Sequence, residues 1–161
     1  MGDCTNLGAM LAHKAELEGT HLVESLYANS KKTVDYDCIP SVVYTNPEVA
    51  WVGKTEEQLK ESFQSYRVGK FSLRANGRSL CNFDTEGFVK ILASEEDGKL
   101  LGAHLVCSNA GDMIYGLASI IQYGGSAEDL HSICFPHPTV SEAIKEALFI
   151  ADPKRGQPIH S

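Results

Sequence analysis

The feature that most constrains this chain is a pair of apolar runs, Phe88 to Ala93 and Leu100 to Cys107, joined by Glu95-Glu96-Asp97-Gly98. An Asp-Gly step at the tip between two such runs is a strong hairpin signal, because glycine accepts the positive φ that tight turns demand. An amphipathic helix follows directly, from about Ala110 to Tyr123. Met113, Ile114, Leu117, Ile120 and Ile121 recur on one side of it, and Gly124-Gly125 ends it. A hairpin with an apolar face beside a one-sided helix must bury one against the other.

The remaining elements fit that frame. In IPSVVYTNPEVAWVG, two short apolar runs flank an Asn46-Pro47 turn and read as strands. Thr55-Glu56-Glu57-Gln58 has the spacing of a capping box, so a short helix to about Ser62 is expected. Tyr66 to Arg74 alternates as a strand. Ser126-Ala127-Glu128-Asp129 opens another turn of helix, and a last helix runs from about Ser141 to Ile150, with Pro153 beyond it. Near the start, Leu11, Ala15, Leu22, Val23 and Leu26 mark a helix from about Ala9 to Tyr27. The expected fold class is α+β, a mostly antiparallel sheet covered by helices in two layers.

Fourteen basic and twenty-one acidic residues leave a net charge of −7, which argues against a nucleic-acid surface. No stretch approaches membrane-spanning length, and MGDCTN lacks the layout of a secretion signal. Cys4, Cys38, Cys81, Cys107 and Cys134 are odd in number and scattered, without a CxxC pair. They read as reduced thiols, each more simply a small buried apolar residue than a nucleophile.

Chemistry has four candidate places. His137-Pro138-Thr139-Val140-Ser141-Glu142 sets a carboxylate five residues after a histidine, an arrangement suited to an oriented general base. Thr139 to Glu142 is equally a capping box, and spacing alone favours that plainer reading. His131, Cys134 and His137 have a spacing that three zinc ligands could use, although Pro136 and the apolar neighbours favour accidental spacing. Gly2-Asp3 is by itself a turn dipeptide. Ala9 to Glu16 opens a helix whose free N–H groups could receive an anion or a flavin carbonyl.

Taken in order, AMLAHKAELEG, IPSVVYTNPEVAWVGKTEEQLKE, YRVGKF, DTEGFVKIL, LGAHL and HPTVSEA resemble the dihydrolipoamide dehydrogenase family of flavin-dependent disulfide oxidoreductases. The resemblance runs from Gly2 to about Ile150. It implies that His137 is the acid–base catalyst, that Glu142 orients it, and that the His137–Pro138 peptide is cis. It implies further that Asp3 and the helix start Met10, Leu11, Ala12 and His13 face FAD. The GxGxxG fingerprints and the redox cysteine pair of that family are absent and should lie upstream of Met1. Residues 1–30 are then a remnant of the FAD-binding domain, 31–37 a linker, 38–150 the dimerisation domain and 151–161 a mobile tail. FAD and NAD serve the full-length enzyme, and none is expected on this piece, which should be inactive alone. The implied partners are a second copy and the lipoyl domains of 2-oxoacid dehydrogenase or glycine cleavage complexes. The implied compartment is the cytoplasm for a bacterial source and the mitochondrial matrix for a eukaryotic one. A pure dimerisation module and a small metal-binding protein are the alternatives.

Overall fold

A computed structural model of the chain describes residues 1–62 and 64–154 and divides it into two compact units, 1–39 and 40–161. The unit boundary therefore falls between Ile39 and Pro40, beyond the expected linker at 31–37. No helix among the described residues is long and apolar enough to cross a membrane.

The first unit is built around a polar hub. Helix α1 (Ala12–Tyr27) begins three residues later than periodicity suggests, because Leu11 is extended. Its buried residues are Lys14 and Glu18, while Leu22, Val23 and Leu26 are exposed. The apolar spacing thus marks the outer side of the helix, and the inner side is ionic. Lys14 Nζ donates to the Gly2 carbonyl at 2.9 Å, and Glu18 accepts from the Gly2 N–H at 2.5 Å. Tyr36 Oη donates to the other Glu18 oxygen at 2.9 Å, and Lys14 and Glu18 pair at 3.3 Å. The Gly2 bond, the Tyr36 hydroxyl and Lys14 hold the Glu18 carboxyl below its ordinary range against the opposing effect of burial.

The second unit is the expected sheet with helices. Its strands are β1 (Ser41–Val43), β2 (Glu48–Gly53), β3 (Tyr66–Ser72), β4 (Phe88–Ser94) and β5 (Leu100–Cys107). All neighbours are antiparallel, in the order β1-β2-β5-β4-β3. Gly98, at φ +72°, closes the β4–β5 hairpin, with its N–H on the Ser94 carbonyl at 3.0 Å. Beside the turn, Leu92 pairs with Gly102 and Ala93 with Leu100, so Leu101 is an extra residue in β5. That bulge resets the alternation, and Leu100, Ala103, Leu105 and Cys107 all join the core.

Helices α4 (Ala110–Gln122) and α6 (Glu142–Ala151) cover the core face, α4 against β2 and β5, α6 against β3 and β4. Ile114 and Leu117 of α4 are almost wholly buried, and Met113, Ile120 and Ile121 pack against the same cluster. The apolar stripe of α4 is spent on the chain's own core. Tyr115 on α4 and Tyr123, which caps its C-terminus, are exposed. Helix α5 (Ala127–His131) packs on α6, its N-terminus closed by a Ser126–Asp129 capping box. Helix α2 (Glu56–Glu61) has the expected Thr55–Gln58 box but lies toward the opposite face, where Glu56 pairs with Lys90 at 3.0 Å. A strand was expected to continue to Arg74. It gives way instead to a 3-10 turn, Leu73–Ala75, and helix α3 (Gly77–Cys81).

The cysteines divide by exposure. Cys107 is buried, and burial, with the charges of Glu48 and Asp84, pushes its thiol up to about 12. Cys4, Cys81 and Cys134 are exposed, against the expectation that each fills a core position, and all five are free thiols. The tail was expected to be mobile from 151, yet Ala151 ends α6 and Asp152 is buried. Beyond Lys154 that expectation lies outside the described residues.

On the sheet face away from the main core, His104 stands between Trp51 and Lys90 in the register. Both ring nitrogens are buried without a hydrogen-bond partner among the described residues. Burial first, and Lys90 second, lower its affinity for a proton. The folded state therefore favours neutral imidazole. The stability this gives is fully present above the unfolded value of about 6.5 and drains away as pH falls below it. Urea midpoints should decline between pH 7.5 and 5, and His104→Leu should flatten that slope. The variant should also be more stable by about 1 kcal/mol at neutral pH, since it removes unsatisfied polar atoms. An unchanged slope in the variant would place the acid sensitivity elsewhere.

Candidate active site

His137 and Glu142 meet as the spacing allows. The His137–Pro138 peptide is cis, in agreement with expectation. Glu142, the first residue of α6, gives one oxygen to each of two partners. Its Oε1 lies 2.9 Å from His137 Nδ1, and its Oε2 accepts from the Thr139 N–H at 2.9 Å. The catalytic and capping readings of this segment are therefore compatible. One arm of the capping box forms; the Thr139 hydroxyl turns away to the Pro136 carbonyl at 2.8 Å, and Ser141 is the N-cap residue.

The electrostatics suit an orienting carboxylate. Burial pushes Glu142 up, but the Thr139 N–H, the imidazole of His137 and the charge of Lys145 outweigh it, so the carboxyl stays below its ordinary range. An ionised Glu142 accepts the proton on Nδ1, which leaves Nε2 as the lone-pair nitrogen. The His137 side chain is 79% exposed while that of Glu142 is 27% exposed. The imidazole thus stands out from its own unit, held at the base and free at the tip.

A cleft of about 270 Å³ adjoins it, lined by Phe71, Asn76, Gly77, His137, Glu142 and Lys145 among others. A larger apolar groove, about 500 Å³, runs along α4 past Met113, Leu117, Ile133 and Phe135, and His137 does not line it.

The zinc spacing does not become a site. His131 is buried, with Nε2 at 2.9 Å from Asp152 and its ring stacked on Phe149 at 4.6 Å. His137 is engaged by Glu142 instead. No group of three or more metal-ligating side chains gathers among the described residues. Asp3, Met10, Leu11, Ala12 and His13 belong to the first unit, apart from the His–Glu pair by sequence and by unit. Asp3 lies in a 3-10 turn, Gly2–Cys4, and Met10 is well exposed. Leu11 caps α1 without a side-chain hydrogen bond.

Sequence reasoning passed over Asn76. This residue is 4% exposed, and it caps α3 by accepting from the Ser79 N–H at 2.9 Å. Its amide also donates to the Thr139 carbonyl at 3.1 Å. The visible signal was an asparagine before Gly77, which suits a helix N-cap.

Known proteins share this sequence and fold. Residues 39–148 match the family described as pyridine nucleotide-disulphide oxidoreductase, dimerisation domain. The mitochondrial dihydrolipoyl dehydrogenase of Caenorhabditis elegans is 54% identical over 140 residues, 87% of this chain and 28% of the relative. The human mitochondrial dihydrolipoyl dehydrogenase is 52% identical over the same length, covering 87% of this chain and 27% of the relative. The chain therefore spans little more than a quarter of these relatives. Among solved structures, LpdA of Mycobacterium tuberculosis superposes with a TM-score of 0.86 at 26% identity, covering 91% of this chain and 32% of that one. The Cu(II) complex of RclA, an HOCl-induced flavoprotein disulfide reductase of Escherichia coli, gives 0.85 at 26% identity, covering 94% and 34%. With the family's domain matched from the first strand through most of α6, this chain belongs to the pyridine nucleotide-disulphide oxidoreductases and carries the dimerisation domain of a dihydrolipoyl dehydrogenase-like flavoprotein disulfide reductase.

Proposed function

We propose that His137 and Glu142 form the acid–base pair of a dihydrolipoamide dehydrogenase, working in the active site of a partner subunit in a homodimer. The single observation that carries this reading is an imidazole anchored at Nδ1 and exposed at Nε2. With 79% of its side chain exposed, His137 is open to a reacting group carried on another surface.

The chemistry asked of it is simple. Dihydrolipoamide is a dithiol, and a thiol of pKa about 8.5 is mostly protonated at neutral pH. Nε2 takes the proton, and the thiolate then attacks the enzyme's redox disulfide. Glu142 stabilises the resulting imidazolium and holds its direction. FAD, when bound, supplies the route for the electron pair onward to NAD+.

The residues present fit a minor part of a flavin site. Asp3 is exposed, and the α1 N-terminus has no side-chain cap, so both are open to a polar ligand. Residues 1–30 then read as the end of a FAD-binding domain. Alone, the chain is expected to bind neither FAD nor NAD+ usefully and to be inactive. Lipoyl domains of 2-oxoacid dehydrogenase or glycine cleavage complexes are the proposed partners. The setting would be the mitochondrial matrix in a eukaryote and the cytoplasm in a bacterium.

The test is Glu142→Gln in the full-length reductase that carries this chain. Glutamine keeps a hydrogen-bonding group but not the charge. A charged hydrogen bond exceeds a neutral one by about 1–1.5 kcal/mol, so dihydrolipoamide turnover should drop about tenfold. Unchanged turnover would return the pair to a structural role.

A further inference from the structure

We propose that Asn76 is a positioning residue for His137, acting through Thr139, the residue that follows the cis proline. The proposal rests on the acid–base reading of His137 and Glu142.

Capping α3 requires only an acceptor, which Ser, Thr or Asp would supply equally well. Asn76 uses its side-chain oxygen for that purpose, toward the Ser79 N–H. The amide nitrogen is left for a second task, and it reaches across 63 residues of sequence to the Thr139 carbonyl. The residue is 4% exposed, so the bond is shielded from competing water.

Thr139 is thereby held on both sides. Its carbonyl is bound by Asn76, and its N–H by Glu142 Oε2. The same carboxylate binds His137 through Oε1. Only Pro138 separates His137 from Thr139, and both lie in the loop between α5 and α6. Asn76 also lines the cleft that His137 and Glu142 line. Loss of its amide frees the Thr139–Val140 peptide to rotate and loosens Thr139, so the Thr139 N–H no longer fixes Glu142 against His137.

The histidine tautomer reports this directly. With Nδ1 bound to an ionised carboxylate, neutral His137 carries its proton on Nδ1. An unconstrained imidazole favours Nε2–H. Long-range proton–nitrogen spectra of this chain, labelled at histidine, distinguish the two forms. Wild type should show the Nδ1–H form. In Asn76→Ser, which keeps a cap acceptor but cannot reach Thr139, that population should fall several-fold while the Ser79 amide stays protected. Asn76→Asp keeps the size and the cap and exchanges the donor for a charged acceptor; it should give the same loss and serves if the serine variant does not fold. Retention of the wild-type tautomer in a folded variant of either kind overturns the role of Asn76 and leaves the acid–base reading intact. An Nε2–H form in wild type overturns the acid–base reading, and the proposal with it.

Discussion

Replacing His137 by glutamine should lower dihydrolipoamide turnover about 10²- to 10⁴-fold in the full-length reductase, the usual range for losing a general base. Flavin content should barely change. The residues proposed to face FAD lie in the first unit, whereas His137 stands on the α5–α6 loop of the second. Glutamine roughly preserves the polarity of the loop but cannot take a thiol proton near neutral pH. Rates measured at rising pH should recover part of the loss, because more of the substrate is already thiolate. Steady-state assays with dihydrolipoamide, paired with the visible absorbance of bound flavin, decide the matter. Turnover within a factor of two of wild type would remove His137 from the chemistry.

A large loss of stability is expected from Gly69→Ala. A methyl group at that position would sit 1.9 Å from the carbonyl oxygen of Ala147 and 2.9 Å from the Ala151 side chain. Both belong to α6, and the obstacle is backbone, so no rotamer change relieves it. Helix α6 must lift from β3 by more than an ångström, opening the core around Ala147 and Leu148. Overpacking of this kind costs typically 1–3 kcal/mol, and a backbone clash puts it at the upper end. Thermal denaturation of this chain should move down by roughly 10 °C. Gly116 is the natural contrast. Nothing lies within 4 Å of a methyl group there, in the middle of α4, so Gly116→Ala should stabilise by up to about 1 kcal/mol. Equal melting temperatures for the two variants would refute this account of the α6–β3 contact.

The sequence was most legible where one periodicity dominated. The β4–β5 hairpin announced itself through Asp97-Gly98, and α4 through five apolar residues at helical spacing. The Thr55 and Ser126 caps were also readable, because side-chain capping is local chemistry. Helix α1 misled, since its buried face is Lys14 and Glu18 and a hydrophobicity pattern cannot register a core made of charges. Sequence shows that a stripe exists but not which surface consumes it. At the site, His137 and Glu142 were visible as a pair only through family resemblance, as spacing alone also described a helix cap. The Asn76 link was invisible because it joins residues 63 positions apart through a single donor.

The extra residue in β5 has an evolutionary consequence. In most strands, gaining or losing one residue turns every later side chain to the wrong face. Here Leu101 already interrupts the alternation, with Leu100 before it and Ala103 after it both pointing into the core. Removing Leu101 would restore regular pairing without exchanging the faces. Position 101 is therefore the place in this strand where related genes can differ in length by one codon and still encode the same sheet.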